Sequence, residues 1–460
     1  MTNTHWHQLL NTLSEQLPAN TLSLDPTLCG RYAGDKWFAT HTPDAVALPR
    51  TTKVVSLIMQ FANNHCIPVT PRGSGFGYVG GCVPSQGGIV LSLERMNKIK
   101  EINPDDFVAV VQPGVITKNL QDAVEAVGRF YPPDPASRAD CSLGGNIATN
   151  AGGPHCLKYG VTREYVLGLE VVLPEGNIVR LGSRTHKNKS GFDLTRLFIG
   201  SEGMLGIVTE ATLKLLPLPP YRAALAVGFS TMSDATQAIK SIFKAGFLPS
   251  ALELADQFTL AAAQKRTGSK RLAGCKAHII VELDGQEKSL RGEIRTLEKT
   301  IRSGATLFVE RALGSIACEE LWQLRREFSY ALRDTGLTKL NEDIVVPRGK
   351  LDDLFLFTQQ LEKQFGLPIA CFGHAGDGNI HVNVMLDIEK PGAKERSNRA
   401  LNALFKKVVA MGGVITGEHG IGLAKKPWWP LVASPALQEL HRTIKKALDP
   451  QNILNPGKFV

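Results

Sequence analysis

Between residues 71 and 217 three glycine-rich tracts interrupt a chain that otherwise alternates between strand-like and helix-like runs. PRGSGFGYVGG (71–81) carries glycine at 73, 75, 77, 80 and 81. YPPDPASRADCSLGGNIATNAGGPHCLKYG (131–160) is a long stretch of Gly, Asn, Ser and Pro, and GFDLTRLFIGSEGMLGIVTEATLKLLP (191–217) is the third. Glycine permits positive φ and lets consecutive backbone N–H groups close on an anion. Long irregular segments inside a compact domain are usually functional. The first tract is not a Rossmann fingerprint, because its glycines alternate and no helix follows promptly, and it lacks the Lys-Ser/Thr ending of a P-loop. Three tracts in one block point to a large ligand held along its length.

The 460 residues predict two to four domains at roughly 150 residues each. Residues 1–45 read as a helical lead-in. TTKVVSLIMQFANNH has apolar residues at Val54, Val55, Ile58, Met59 and Ala62, a helical stripe with Thr51 or Thr52 as N-cap. IPVTP, GGIVLSL and FVAVVQPG read as strands, TKNLQDAVEAVG as a helix, and VLGLEVVLPEGNIVRLG as a hairpin about Pro174–Asn177. The first block, 46–219, closes at the proline-rich LLPLPP. From 220 to 410 strands (AALAVGF, KAHIIVELDG, NIHVNVML) alternate with helices. These are SDATQAIKSIFKAG capped by Ser233, EKSLRGEIRTLEKTIRSG, SIACEELWQLRREFSYALRD, LDDLFLFTQQLEKQFG and ERSNRALNALFKKVVAMG. That alternation indicates a second α/β domain, with 411–460 left as a C-terminal segment.

Charge and cysteines remove several classes. The formal charge is +9, but the densest basic groups are pairs such as Lys406-Lys407 and Lys425-Lys426, so there is no nucleic-acid stripe. Anionic small molecules or weak attraction to an acidic membrane surface fit the charge better. The eight cysteines stand at least fifteen residues apart, which excludes CxxC-type metal or iron–sulfur spacing and assigns any such cluster to a partner. No apolar run approaches the ~18–20 residues of a membrane span, and MTNTHWHQLLNTLSEQL lacks a signal-peptide pattern. A cytoplasmic protein, at most peripheral to the inner membrane, is expected.

A second constellation lies in FGHAGDGNIHVNVM (372–385) and GGVITGEHGIG (412–422). On a strand, period two puts His381, Asn383 and Met385 on one face. Two imidazoles, His374 and His381, with the Glu418 carboxylate make an open ligand set for Zn²⁺, Mn²⁺ or Fe²⁺. Adjacent Glu418 and His419 point to different sides of an extended loop, so one can ligate while the other faces a substrate.

PRGSGFGYVGG, PDPASRADCSLGGNIATNAGG and LFIGSEGMLGIVT resemble the FAD-binding signatures of the vanillyl-alcohol oxidase / p-cresol methylhydroxylase superfamily, with Phe76 and Met204 where the family usually has Thr. The resemblance implies an α+β fold. It consists of a two-part FAD-binding domain of the p-cresol methylhydroxylase type, an α/β (ferredoxin-like) substrate or cap domain, and a C-terminal segment returning to the FAD domain. It also implies noncovalent FAD, since PRGSGFG offers no His or Cys for a tether. The residues it assigns to FAD are Arg72, Gly73, Ser74, Gly75, Gly77 and Gly81 in the first tract and Pro133, Asp134, Ser137, Ser142, Gly144, Gly145, Asn146, Thr149 and Asn150 in the second. Gly206, Ile207, Val208 and Asn455 complete that set.

GHAGDGNIHVN and GEHGIG, with the terminal ALDPQNILNPGKF, resemble the glycolate-oxidase-D-like branch, which includes D-lactate, D-2-hydroxyglutarate and glycolate dehydrogenases. In that branch the matching residues, here His374, His381 and Glu418, bind a divalent metal next to the flavin, and zinc is expected in this chain ahead of manganese or iron. His419 becomes the general base and hydride passes to flavin N5. Arg325, Ser329 and Lys339, with Asn383 and His419, become the substrate-binding set, which favours D-2-hydroxyglutarate or D-lactate. Arg325 and Ser329, four apart on one helix face, suit a carboxylate. Electrons would pass to a quinone, a cytochrome or an electron-transfer flavoprotein rather than NAD. The alternative is the FAD-carrying subunit of a glycolate-oxidase-like complex with an iron–sulfur partner, and a homodimer is compatible with either.

Overall fold

The computed structural model describes residues 3–302 and 305–460. The chain divides into two compact units, one made of Met1–Gly152, Val161–Leu218 and Glu418–Val460, the other of Gly153–Gly160 and Pro219–Gly417.

In the first unit the helix Thr52–Asn64 starts where Thr51 Oγ1 accepts the Val54 N–H, and it buries Val55, Ile58, Met59 and Ala62. That stripe packs in a core with Ile89 and Leu91 of the neighbouring strand. The four-stranded sheet runs Leu22–Ser23, Ala45–Ala47, Ile89–Ser92, Val69–Arg72, with the last three parallel. A five-stranded antiparallel sheet runs Ile99–Asn103, Val108–Val111, Ile207–Lys214, Val166–Val172, Ile178–Gly182. Its last pair is the expected hairpin, closed by the Leu173 N–H donating to Asn177 O at 2.9 Å.

The N-terminal residues are more than a lead-in. Leu10 and Leu13 of the helix Asn3–Gln16, with Leu17 just after it, share one core with Ile58, Met59, Ile453 and Leu454. The C-terminal segment is tied to the same unit, because Val69 N–H donates to Ile453 O at 2.7 Å and Asn455 N–H to Val69 O at 2.8 Å. Buried Lys445 donates from Nζ to the main-chain oxygens of Met204 (2.9 Å) and Leu454 (2.7 Å) and pairs with Asp449.

The second unit holds a seven-stranded sheet in the order Thr306–Leu313, Tyr221–Phe229, Ala277–Gly285, Ala251–Asp256, Ile369–His374, Asn379–Leu386, Thr338–Val345. Every pairing is antiparallel, although alternation along the sequence reads as α/β. The strand order shows why: most strands joined through helices land apart in the sheet, and Ala251–Asp256 and Ala277–Gly285, joined through Gln257–Thr267, lie side by side but antiparallel. The helices Gln257–Thr267 and Ser315–Arg333 cover the face that carries Ala224, Ala226, Ala255 and Ile280. Met232–Lys244, Glu287–Ile301, Leu351–Phe365 and Ala393–Ala410 pack in a second layer. The cap of the first of these is Thr231, which accepts the Asp234 N–H, and not Ser233. Ser303 and Gly304, at the end of the EKSLRGEIRTLEKTIRSG run, lie outside the described residues. The second glycine tract is split between the units. Its last part, 153–160, joins the second unit through Tyr159 Oη donating to Asp284 at 2.6 Å and a Lys158–Asp284 ion pair.

Candidate active site

The strand Val69–Arg72 leads directly into the first glycine tract. Arg72 turns back, donating to Gly34 O, with its guanidinium 5.3 Å from the centre of the Tyr32 ring. It fills the space beside Gly75, whose φ of +73° only glycine adopts without strain. Gly73 lies against the second tract: a Cβ there would fall within 3.0 Å of Ser142 Oγ and at 3.4 Å from Gly145 N. Ser142 caps the helix Leu143–Thr149 by position, but its buried hydroxyl makes no capping bond and has no hydrogen-bond partner. A tight glycine approach over an unsatisfied buried hydroxyl suits a polar group of a bound cofactor.

Three further loops are stitched to this tract. Val79 O accepts the N–H groups of Leu423 (2.8 Å) and Ala424 (3.0 Å), and the Tyr78 ring lies 5.2 Å from that of His419. Glu202, at φ +49°, accepts the N–H groups of Ile421 and Gly422, both at 2.8 Å, and burial pushes its carboxyl up. Asn455 Nδ2 donates to Gly81 O (2.9 Å) and Glu202 O (2.8 Å), while its Oδ1 is buried without a partner. Lys458 Nζ donates to Val83 O at 2.6 Å, and burial brings its ammonium down to about 8. Glu202 and Asp35, whose carboxylate flanks Gly77, escaped the sequence reading. The signal for Glu202 was a lone carboxylate between glycines in an apolar run.

Several expected cofactor residues serve the frame of these loops. Asn146 Nδ2 donates to Thr117 Oγ1 at 2.6 Å, Asn150 Oδ1 accepts the Arg163 N–H at 3.0 Å, and Thr149 Oγ1 donates to Gly145 O. Pro133 O accepts from Gln121, and Ser137 O accepts the Asp140 and Cys141 N–H groups. Gly144 abuts Pro113, and Gly206 abuts Val171 and Phe198. Ile207 and Val208 pair with Val172 and Val171, with Ile207 inside the core. Ser74 and Asp134 are half-buried, and the space at Gly81 is open. Of the two departures, Phe76 stacks under Lys36 Nζ at 4.5 Å, and Met204 is buried with its carbonyl held by Lys445.

The second unit places both histidines of the other constellation on one sheet face. His374 and His381 end up with ring centres 5.6 Å apart and nearly perpendicular, and the Phe372 ring lies 5.5 Å from that of His381. Glu253, directly across the ladder from His374, binds His374 Nδ1 through Oε1 and Arg325 Nε through Oε2, each at 2.5 Å. Burial opposes ionisation of Glu253, but its contacts with His374 and Arg325 outweigh it and bring its carboxyl down to about 2. Asp343, the ladder partner of His381, accepts from Thr416 Oγ1 and from the Gly417 N–H at 2.9 Å. Glu418 is the next residue in the chain.

Arg325 also stacks on Phe372, at 4.7 Å. Lys339 Nζ donates to Ser329 Oγ at 2.8 Å, and burial pulls its ammonium down to about 8. Asn383 is fully buried, with Nδ2 donating to Ala370 O and His381 O and with Oδ1 unpartnered. Its ladder partner Asn341 also has a buried, unpartnered Oδ1.

The fold is shared with solved enzymes. A p-cresol methylhydroxylase structure with substrate bound superposes with a TM-score of 0.82 at 19% identity, covering 100% of this chain and 97% of that one. The 4-ethylphenol oxidase of Gulosibacter chungangensis gives 0.81 at 19%, covering 100% and 98%. Residues 43–182 match the FAD binding domain family and residues 218–459 the family described as FAD linked oxidases, C-terminal domain, and the chain belongs to these FAD-linked oxidoreductases. A Bacillus subtilis protein named glycolate oxidase subunit GlcD is 40% identical, over 91% of this chain and 89% of its own. D-lactate dehydrogenases of Anaerostipes hadrus and Archaeoglobus fulgidus are 35% and 36% identical, over 91% and 90% of this chain and 89% and 91% of theirs. Among the described residues no helix is long and apolar enough to cross a membrane.

Proposed function

We propose that this chain oxidises a D-2-hydroxy acid, D-lactate or D-2-hydroxyglutarate, to the 2-oxo acid, using FAD and a divalent metal held by His374, His381 and Glu418. The observation that carries the metal is the pair of buried histidines on one sheet face, one of them oriented by a buried carboxylate, with Glu418 following a glycine pinned to the same sheet. The donor set of two imidazoles and a carboxylate suits zinc, manganese or iron. When bound, FAD supplies the hydride acceptor and the metal a Lewis acid.

The protein's own groups bind, orient and move a proton. Arg325, whose Nε is taken by Glu253, offers its terminal guanidinium nitrogens to a substrate carboxylate as a fork. Ser329 and Lys339, already in contact, form a second polar pair for a distal carboxylate, which favours a dicarboxylic acid. Asn383 directs its unpartnered carbonyl oxygen to a hydroxyl donor. A ring nitrogen of His419 accepts the substrate hydroxyl proton, with the ring steadied against Tyr78.

The test is removal of metal by a chelator from the FAD-loaded protein. Turnover of the hydroxy acid falls by more than tenfold while the flavin spectrum stays, and Zn²⁺ or Mn²⁺ restores it. Full turnover without metal contradicts the reading. A second reading, favoured by the relative named glycolate oxidase subunit GlcD, is that the chain is the FAD-carrying subunit of a complex with an iron–sulfur partner. Purification from native extract that returns no stoichiometric partner counts against it.

A further inference from the structure

The metal reading leaves open what sets the histidines, and resting on it we infer that Glu253 is a positioning residue that fixes the metal-binding tautomer of His374 and joins it to Arg325. Glu253 and His374 are ladder partners on adjacent antiparallel strands, so their side chains leave the same face of the sheet. One carboxylate oxygen lies 2.5 Å from His374 Nδ1 and the other 2.5 Å from Arg325 Nε. An ionised carboxylate only accepts hydrogen bonds, so Nδ1 carries a hydrogen, and in the neutral ring the lone pair then sits on Nε2. That is the tautomer a metal needs when Nε2 is the ligand atom, and a carboxylate behind the ring also raises its basicity.

Only 2% of the Glu253 side chain is exposed, so water cannot substitute for either contact. A buried carboxylate is tolerated only with its partners in place, and Arg325 supplies the balancing charge. The arginine in turn stacks on Phe372, whose ring packs against His381. One connected cluster thereby sets the orientation of both histidines and of the substrate arginine. Sequence reading sees none of this, because Glu253 stands in the strand run ALELAD, 121 residues from His374.

The test compares Zn²⁺ affinity of metal-stripped, FAD-loaded wild type and Glu253→Gln, by competition with a chromophoric chelator. Gln keeps the shape but presents a donor to one of two donors, so affinity falls about 10–100-fold, while FAD content is unchanged. Wild type that takes up no Zn²⁺ overturns the metal reading and this inference together. Wild type that binds while Glu253→Gln binds equally well overturns this inference alone. An independent arm needs no variant: in ¹⁵N-histidine-labelled, metal-free wild type, His374 shows the Nδ1–H pattern, and an Nε2–H pattern refutes the assignment.

Discussion

Gly73→Ala tests the cofactor cradle through a single methyl group. The added Cβ would fall within 3.0 Å of Ser142 Oγ, closer than real Cβ atoms come, and at 3.4 Å from Gly145 N. Ser142 is buried, so its hydroxyl cannot swing into solvent, and the two tracts must part by several tenths of an ångström. Overpacking of this kind costs about 1–3 kcal/mol. If that strain is relieved only when FAD is absent, the FAD dissociation constant rises by about 5-fold to about 150-fold. Ultrafiltration of the FAD-loaded protein, with free and bound flavin measured by visible absorption, reads this directly. Ser142→Gly in the same background removes the obstructing oxygen and recovers part of the affinity, which separates local strain from general misfolding. Unchanged FAD affinity in Gly73→Ala would refute the idea that these two tracts form the cradle.

Three further outcomes follow from the geometry. Glu202→Gln weakens one of two backbone bonds to a buried carboxylate, a loss of about 1.5–3 kcal/mol, and hydrogen exchange at Ile421 and Gly422 accelerates by at least tenfold; unchanged protection would show that Glu202 does not hold that loop. Lys339 titrates at about 8 when folded, against an ordinary 10.5, so the unfolded chain binds more protons between those values and stability rises with pH across that window. Over the same window KM for a dicarboxylic hydroxy acid rises as the cation is lost, while KM for glycolate stays flat; parallel pH profiles for the two acids contradict the role of Lys339. Arg325→Ala leaves the Glu253 carboxylate with His374 alone and costs about 3–5 kcal/mol in urea unfolding, and it raises KM for dicarboxylic acids more than for D-lactate. Equal effects on both acids would mean that Arg325 grips the carboxylate they share.

What the sequence displays is the local part of this molecule. The hairpin at Pro174–Asn177, the stripe of Thr52–Asn64 and the face shared by His381, Asn383 and Met385 depend on neighbours within a few residues, so periodicity and turn chemistry reveal them. The residues that escaped it work across the chain. Glu202 meets Ile421 over 219 positions and Glu253 meets His374 over 121, and each sits in an apolar run where a carboxylate looks like a solvent-facing interruption. Antiparallel pairing in the second unit was hidden for the same reason, since strand order is decided by packing rather than by succession. The glycine tracts stand out in the sequence, whereas the bonds by which the Asn146 and Asn150 amides tie the second tract to Thr117 and Arg163 do not.

The central claim is that a 2-hydroxy acid reduces the flavin of this chain. The measurement that tests it most directly is anaerobic bleaching of the visible flavin absorption by D- and L-lactate, D- and L-2-hydroxyglutarate and glycolate, each added in turn to the FAD-loaded protein with metal. The account predicts rapid bleaching by a D-acid and none by its L-enantiomer, and loss of that bleaching when the metal is removed. A flavin that none of these acids bleaches, or that bleaches equally fast after the metal is stripped, would contradict it.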